Sequence, residues 1–164
     1  MDDKAIDLLR ELTNAHAAPG FEHEVRAIFA DQLERHGQLS TDGLGSVFCE
    51  SGSGPRILLA GHMDEVAFRV QNITPDGFIQ FVSLGGWWSH TLLAQRVVVC
   101  PRGGTKISGV ITSKPPHFLP DAERSRVLPV EAMFIDVGAS SRSELEQDFG
   151  VNVGDPVVPM SEFT

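Results

Sequence analysis

The sequence predicts an α/β domain that opens with a pair of helices, leaves its sheet unfinished, and gives way to an all-β barrel or sandwich. Three observations carry that expectation. Apolar residues recur at helical spacing as far as Leu33. An unbroken apolar run, Ile57-Leu58-Leu59-Ala60, follows the breaker Gly54-Pro55. From about Val66 onward, short β-branched runs alternate with glycine and proline. The 164 residues suffice for one domain or two small ones, and 41% hydrophobic with 21% charged residues is the composition of a soluble globular protein. A net charge of −9 argues against nucleic acid or an anionic membrane as the main partner.

Taken in order, Asp2 or Asp3 is placed to cap a first helix whose Ile6, Leu9 and Leu12 share a face, widened by Leu8. His16-Ala17-Ala18-Pro19-Gly20 stops it. A second helix carries Phe21, Val25, Ile28, Phe29 and Leu33 along one side and ends before Gly37, with Glu22 and Glu24 near its positive end. The period then changes to two, and residues 39–41 and 46–50 flank the turn Asp42-Gly43-Leu44-Gly45 as a hairpin. Residues 57–60 read as a strand buried on both faces. Beyond them, 66–73 and 78–84 flank Thr74-Pro75-Asp76-Gly77 as a second hairpin. Further strands are expected at 95–100, 105–112 and 132–137, and a last extended segment at 154–158. A short helix is expected at 141–149, with Ser141 or Ser143 as cap and Glu144 in its first turn. Residues 114–120 are too proline-rich for regular structure and read as a surface excursion.

The polar chemistry gathers after residue 60. His62 and Asp64 follow the hinge Gly61, and residues two apart in extended chain point the same way. Asp64 is therefore placed to orient the imidazole of His62 or to share a ligand with it, and a carboxylate behind a histidine fixes the tautomer of a metal ligand. The bland alternative is a hydrogen-bonded histidine at a strand end, since such triplets are common. His16, His23 and His36 are expected to be solvated, and His90 and His117 to be loop histidines. Cys49 and Cys100 read as reduced core residues of a cytosolic protein rather than zinc ligands. Trp87-Trp88 is either a core anchor of the β region or an exposed pair at a subunit contact. The acidic start Met1-Asp2-Asp3-Lys4 has no apolar region of a secretory signal, and no apolar run approaches the ~20 residues that span a bilayer. A cytoplasmic protein is expected.

Several separated motifs occur in one order: Ala18-Pro-Gly-Phe-Glu22, Thr41-Asp-Gly-Leu-Gly45, Ala60-Gly-His-Met-Asp-Glu-Val-Ala-Phe68, Gln95-Arg-Val-Val-Val99, Gly109-Val-Ile111, Lys114-Pro-Pro-His117, Ile135-Asp-Val-Gly-Ala139 and Gly154-Asp155. Together they resemble the dinuclear-metal aminopeptidases of the glutamyl aminopeptidase and tetrahedral (TET) aminopeptidase family, from near residue 8 to near 160. The resemblance implies an incomplete phosphorylase/hydrolase-like α/β catalytic domain over 1–67. It further implies an inserted β-barrel, PDZ-like dimerisation domain over 68–160, and the start of the return to the catalytic domain at 161–164.

By the same resemblance, His62 matches a ligand of one of two divalent metal ions, zinc or cobalt. Asp64 matches the catalytic-site aspartate that orients that histidine, and Glu65 a neighbouring position without an assigned role. The implied activity is metal-dependent release of amino-terminal residues from peptide substrates, in homo-oligomers from dimer to dodecamer. In that family the remaining metal ligands and the base glutamate follow the insert, so this chain is expected to carry only part of the active site. Two other readings stay open: a non-catalytic assembly module, and another metal hydrolase of the wider clan, such as a deacetylase. Family relatives have also been labelled endoglucanases, but Asp64 and Glu65 are adjacent and in a strand would point to opposite faces.

Overall fold

A computed structural model describes residues 2–164, which separate into two compact units: the chain up to Asp64 together with Glu162–Thr164, and Glu65–Ser161. Among the described residues no helix is long and apolar enough to cross a membrane.

The first unit opens with α1 (Asp3–Asn14), capped by the Asp2 carboxylate, which accepts from the Lys4 backbone N–H at 3.5 Å. Helix α2 (His23–Leu33) starts later than the apolar pattern suggests. Phe21 lies before it, because its N–H is taken by the Ala18 carbonyl at 2.7 Å in the preceding turn. Strands β1 (Gln38–Thr41) and β2 (Val47–Glu50) pair antiparallel, with Leu39 opposite Cys49. Asp42 closes their turn by accepting the backbone N–H groups of Leu44 and Ser46, both at 2.9 Å. These bonds, that from Ser46 foremost, hold the Asp42 carboxyl below the usual carboxylate range. Neither helix buries a residue completely, and Ala17 and Ala18 are the only fully buried apolar residues described in this unit.

One expectation fails here. Ile57, Leu58 and Leu59 are 86%, 81% and 92% exposed, and their segment belongs to no strand. A strand holds only when a neighbour takes up its backbone N–H and C=O groups, and two strands alone are marginal. Residues 57–60 pair with no described strand, so side chains suited to a two-sided interior lie in solvent.

The second unit is a closed barrel rather than a sandwich. Strands β3 (Ala67–Ile73), β4 (Ile79–Leu84), β5 (Arg96–Val99), β6 (Ile107–Ser113), β7 (Met133–Asp136) and β8 (Pro156–Pro159) run in the order β3-β4-β7-β6-β5-β8. Every pair is antiparallel, and closure comes from Phe68 of β3 opposite Val157 of β8. Val70 and Ile73 both face inward although three apart. The register shifts between Val70 and Asn72, and this bulge restores the alternation. The β3–β4 turn needs Gly77, whose φ is +83° and whose missing Cβ would sit 2.7 Å from the Ala139 carbonyl oxygen.

Phe68 anchors the core, meeting Phe81 edge-on at 5.1 Å and stacking on Trp87 at 4.7 Å. The Trp87 Nε1–H donates to the Ala67 carbonyl at 3.0 Å, so this ring is the core anchor. Trp88 is 67% exposed with its ring 4.4 Å from that of His90, so the core-anchor reading holds for Trp87 and not for its neighbour. Cys49 and Cys100 form no disulfide and are only half-buried, short of the core placement expected of them.

The proline-rich stretch is more regular than expected. It holds a 3₁₀ turn at Pro116–Phe118 and leads into α3 (Asp121–Arg124). Arg124 stabilises both, its Nε–H donating to the carbonyls of Pro116 at 2.9 Å and Leu119 at 3.2 Å. Helix α4 (Arg142–Gln147) is capped by Ser141 Oγ, which accepts from the Glu144 N–H, and it contributes Leu145 to the core. Glu144 in turn accepts from the Ser140 hydroxyl and N–H, which lowers its pKa, the hydroxyl bond foremost. Arg142 ties α4 to β3 through the Ile73 carbonyl and Asn72 Oδ1.

Two outcomes follow. Ile135 is wholly buried between Ile79 of β4 and Ile111 of β6, so Ile135→Ala should lower unfolding free energy by about 2–5 kcal/mol in urea titrations. The Asp42 carboxyl titrates lower in the folded chain than in the unfolded one. Its support of the hairpin is therefore complete above the ordinary carboxylate range and lost as pH falls through the lowered value. The hydrogen-exchange protection of the Ser46 amide should drop across that acid range. Asp42→Asn should remove the pH dependence of that protection, and an unchanged profile in the variant would contradict the assignment.

Candidate metal centre

His62 and Asp64 are brought together as their spacing suggested. His62 Nδ1 lies 3.1 Å from Asp64 Oδ1 and 2.9 Å from the Asp64 backbone oxygen. Both partners are acceptors, so in the neutral ring Nδ1 carries the proton and donates, which leaves the lone pair on Nε2. The His62 side chain is 85% exposed, so Nε2 is open to a ligand from outside. The contact spans only two residues and needs no sheet behind it, which is why it forms although residues 57–60 do not make a strand. Such a carboxylate-backed imidazole is the form in which histidine binds a divalent ion.

The pair fits one coordination position and no more. A catalytic zinc takes about three protein ligands. Among the described residues no group of three or more His, Cys, Asp or Glu side chains is arranged to hold a metal ion. The other histidines are dispersed: His23 and His36 are exposed on the first unit, His16 is half-buried, and His117 is exposed in the turn after Pro115. His90 lies in the 3₁₀ turn Ser89–Thr91.

His90 also borders a cavity of about 320 Å³ in the second unit, formed by residues 89–93 and 113–128. No motif announced this concavity, because its walls come from separate stretches. The only trace in the sequence is a cluster of cations, Lys114, Arg124 and Arg126, in a chain of net charge −9.

Comparison with known proteins shows what the chain is similar to. The pattern of the M42 glutamyl aminopeptidase family matches residues 45–164, and a second pattern, AMPT, matches residues 3–29. The protein FrvX of Escherichia coli K12 is 42% identical over 160 residues, which is 96% of this chain and 45% of that protein. The crystal structure of a TET aminopeptidase from a marine sediment Thaumarchaeota archaeon superimposes with a TM-score of 0.93 at 47% identity, covering 99% of this chain and 46% of that one. The TET1 peptidase of Pyrococcus horikoshii, which assembles into a tetrahedron or a large octahedral shell, matches with a TM-score of 0.85 at 30% identity, over 97% of this chain and 47% of that one. The chain thus spans a little under half the length of the relatives it matches. With the family pattern extending over residues 45–164, most of its length, the protein belongs to the M42 glutamyl aminopeptidase family.

Proposed function

We propose that the protein acts as a metal-dependent aminopeptidase in the cytoplasm, removing amino-terminal residues from peptides. His62 supplies one metal ligand and Asp64 sets its orientation. The single observation that carries this reading is the His62–Asp64 contact at 3.1 Å, on a chain of this family, with the His62 side chain 85% exposed. Two divalent ions, zinc or cobalt, would provide an activated water and polarise the scissile carbonyl. The part played by this chain is narrower: Asp64 holds the Nδ1 proton, and that keeps the Nε2 lone pair directed outward. Among the described residues no further His, Cys, Asp or Glu side chains join this pair in a group of three able to hold a metal ion.

The unit 65–161 is read as an inserted assembly domain. What supports this is that its entry and exit strands are neighbours, Phe68 of β3 lying opposite Val157 of β8, so the barrel can interrupt a longer chain without separating what flanks it. Homo-oligomers built through this unit are the accompanying expectation, in keeping with the assemblies of the Pyrococcus horikoshii relative. The competing reading, an assembly module without catalysis, is favoured by one observation: the barrel has a complete core, whereas the described residues hold no group of three metal-ligating side chains.

Release of amino-terminal residues from a panel of aminoacyl substrates, with added zinc or cobalt, tests the proposal. Metal-dependent turnover that His62→Ala abolishes supports it. A stable oligomer by sedimentation with no turnover under any metal supports the assembly module instead. The geometry has its own check in ¹⁵N spectra of neutral His62, where Nδ1 should be the protonated nitrogen. A predominant Nε2–H form would remove Asp64 from the orienting role.

A further inference from the structure

The cavity bordered by His90 has a chemistry that the metal site does not account for. Its volume of about 320 Å³ is within the range of small-molecule sites. Leu93, Leu119, Val127 and Leu128 give it apolar walls, and Lys114 and Arg126 give it charge. Neither the Lys114 ammonium nor the Arg126 guanidinium has a hydrogen-bond or ion-pair partner among the described residues. Arg124 differs: it is committed to the carbonyls of Pro116 and Leu119 and to Asp121 at 3.2 Å, and so shapes the wall. Glu123 is the one carboxylate in the lining, against three cations. On a chain of net charge −9 this is a local reversal of sign, and a concave wall focuses such a field on an incoming anion.

Two free cations beside an apolar surface select a particular kind of ligand. A bare inorganic anion would satisfy the cations and leave the leucines wet, while a neutral apolar ligand would leave the cations unused. A carboxylate on an apolar body uses both. We propose that this cavity binds the free carboxyl end of a short peptide whose last side chains are apolar, with Lys114 and Arg126 on the carboxylate. The naming of a peptide as occupant rests on the aminopeptidase reading. The preference for an apolar carboxylate does not.

The test is a titration of the whole chain with N-acetyl-leucyl-leucine, followed by amide shifts of residues 89–93 and 113–128 and by Trp88 fluorescence. Saturable binding is expected. It should weaken at least about fivefold for the corresponding carboxamide, and likewise in the Lys114→Gln/Arg126→Gln variant, the effect of losing two partly exposed charge pairs. Both positions are exposed, so the variant should keep the parent circular dichroism, and Arg102→Gln, outside the cavity, serves as the charge control. Equal affinity for acid and amide, unchanged affinity in the double variant, an equal loss in the control, or inorganic phosphate binding as tightly as the peptide would each overturn the proposal. So would the absence of saturable binding. No metal or turnover enters the measurement, so its failure is separable from failure of the aminopeptidase reading.

Discussion

Closure of the barrel by β3 and β8 is the constraint on which the second unit depends. Phe68 opposite Val157 and Arg69 opposite Pro156 take up the backbone groups that would otherwise form two open sheet edges. Closure also turns one face of every strand inward, so Phe68, Ile79, Val97, Ile111, Ile135 and Val157 meet in a single core. Proline at 156 is tolerated because β8 pairs over a short length, and Val70 and Asp155 bond across the end at 2.9 Å. Asp155, the one buried carboxylate described, is satisfied locally by accepting the Asn152 N–H at 2.8 Å.

The first unit shows the same physics with the opposite result. Its hairpin and helices are local structures, secured by the Asp2 cap, the Asp42 turn and the β1–β2 pairing. Nothing described closes over Ile57, Leu58 and Leu59, and exposure follows. The His62–Asp64 pair survives in this setting because a contact two residues apart costs little chain entropy and borrows nothing from distant packing. A chemical group can thus be preformed on a segment whose own secondary structure is not.

The cavity in the second unit depends on a third kind of order. Its walls come from the turn at Ser89–Thr91, the proline-rich stretch and α3, and one side chain, Arg124, ties the last two together by bonding two carbonyls. A structural arginine frees its neighbours Lys114 and Arg126 from that duty, leaving two cations without partners at the rim. The division of labour among three nearby cations is what gives an acidic chain a site suited to an anion.

By itself the sequence determined what is local. The caps, each narrowed to two residues (Asp2 or Asp3, Ser141 or Ser143), the turns at Asp42 and Thr74–Gly77, and the short β-branched runs of the second unit are short-range patterns read in the amino-acid order. So was the His62–Asp64 pair, because its spacing and its contact are nearly the same fact. Tertiary structure alone decided the rest. Periodicity left barrel and sandwich open, the motif resemblance implied a barrel, and the pairing of distant strands closes it; tertiary structure also placed Trp87 inside and Trp88 outside though the residues are adjacent. It also decided that an apolar run with every mark of a buried strand lies in solvent. Burial is a property of two partners, and a sequence pattern describes only one of them.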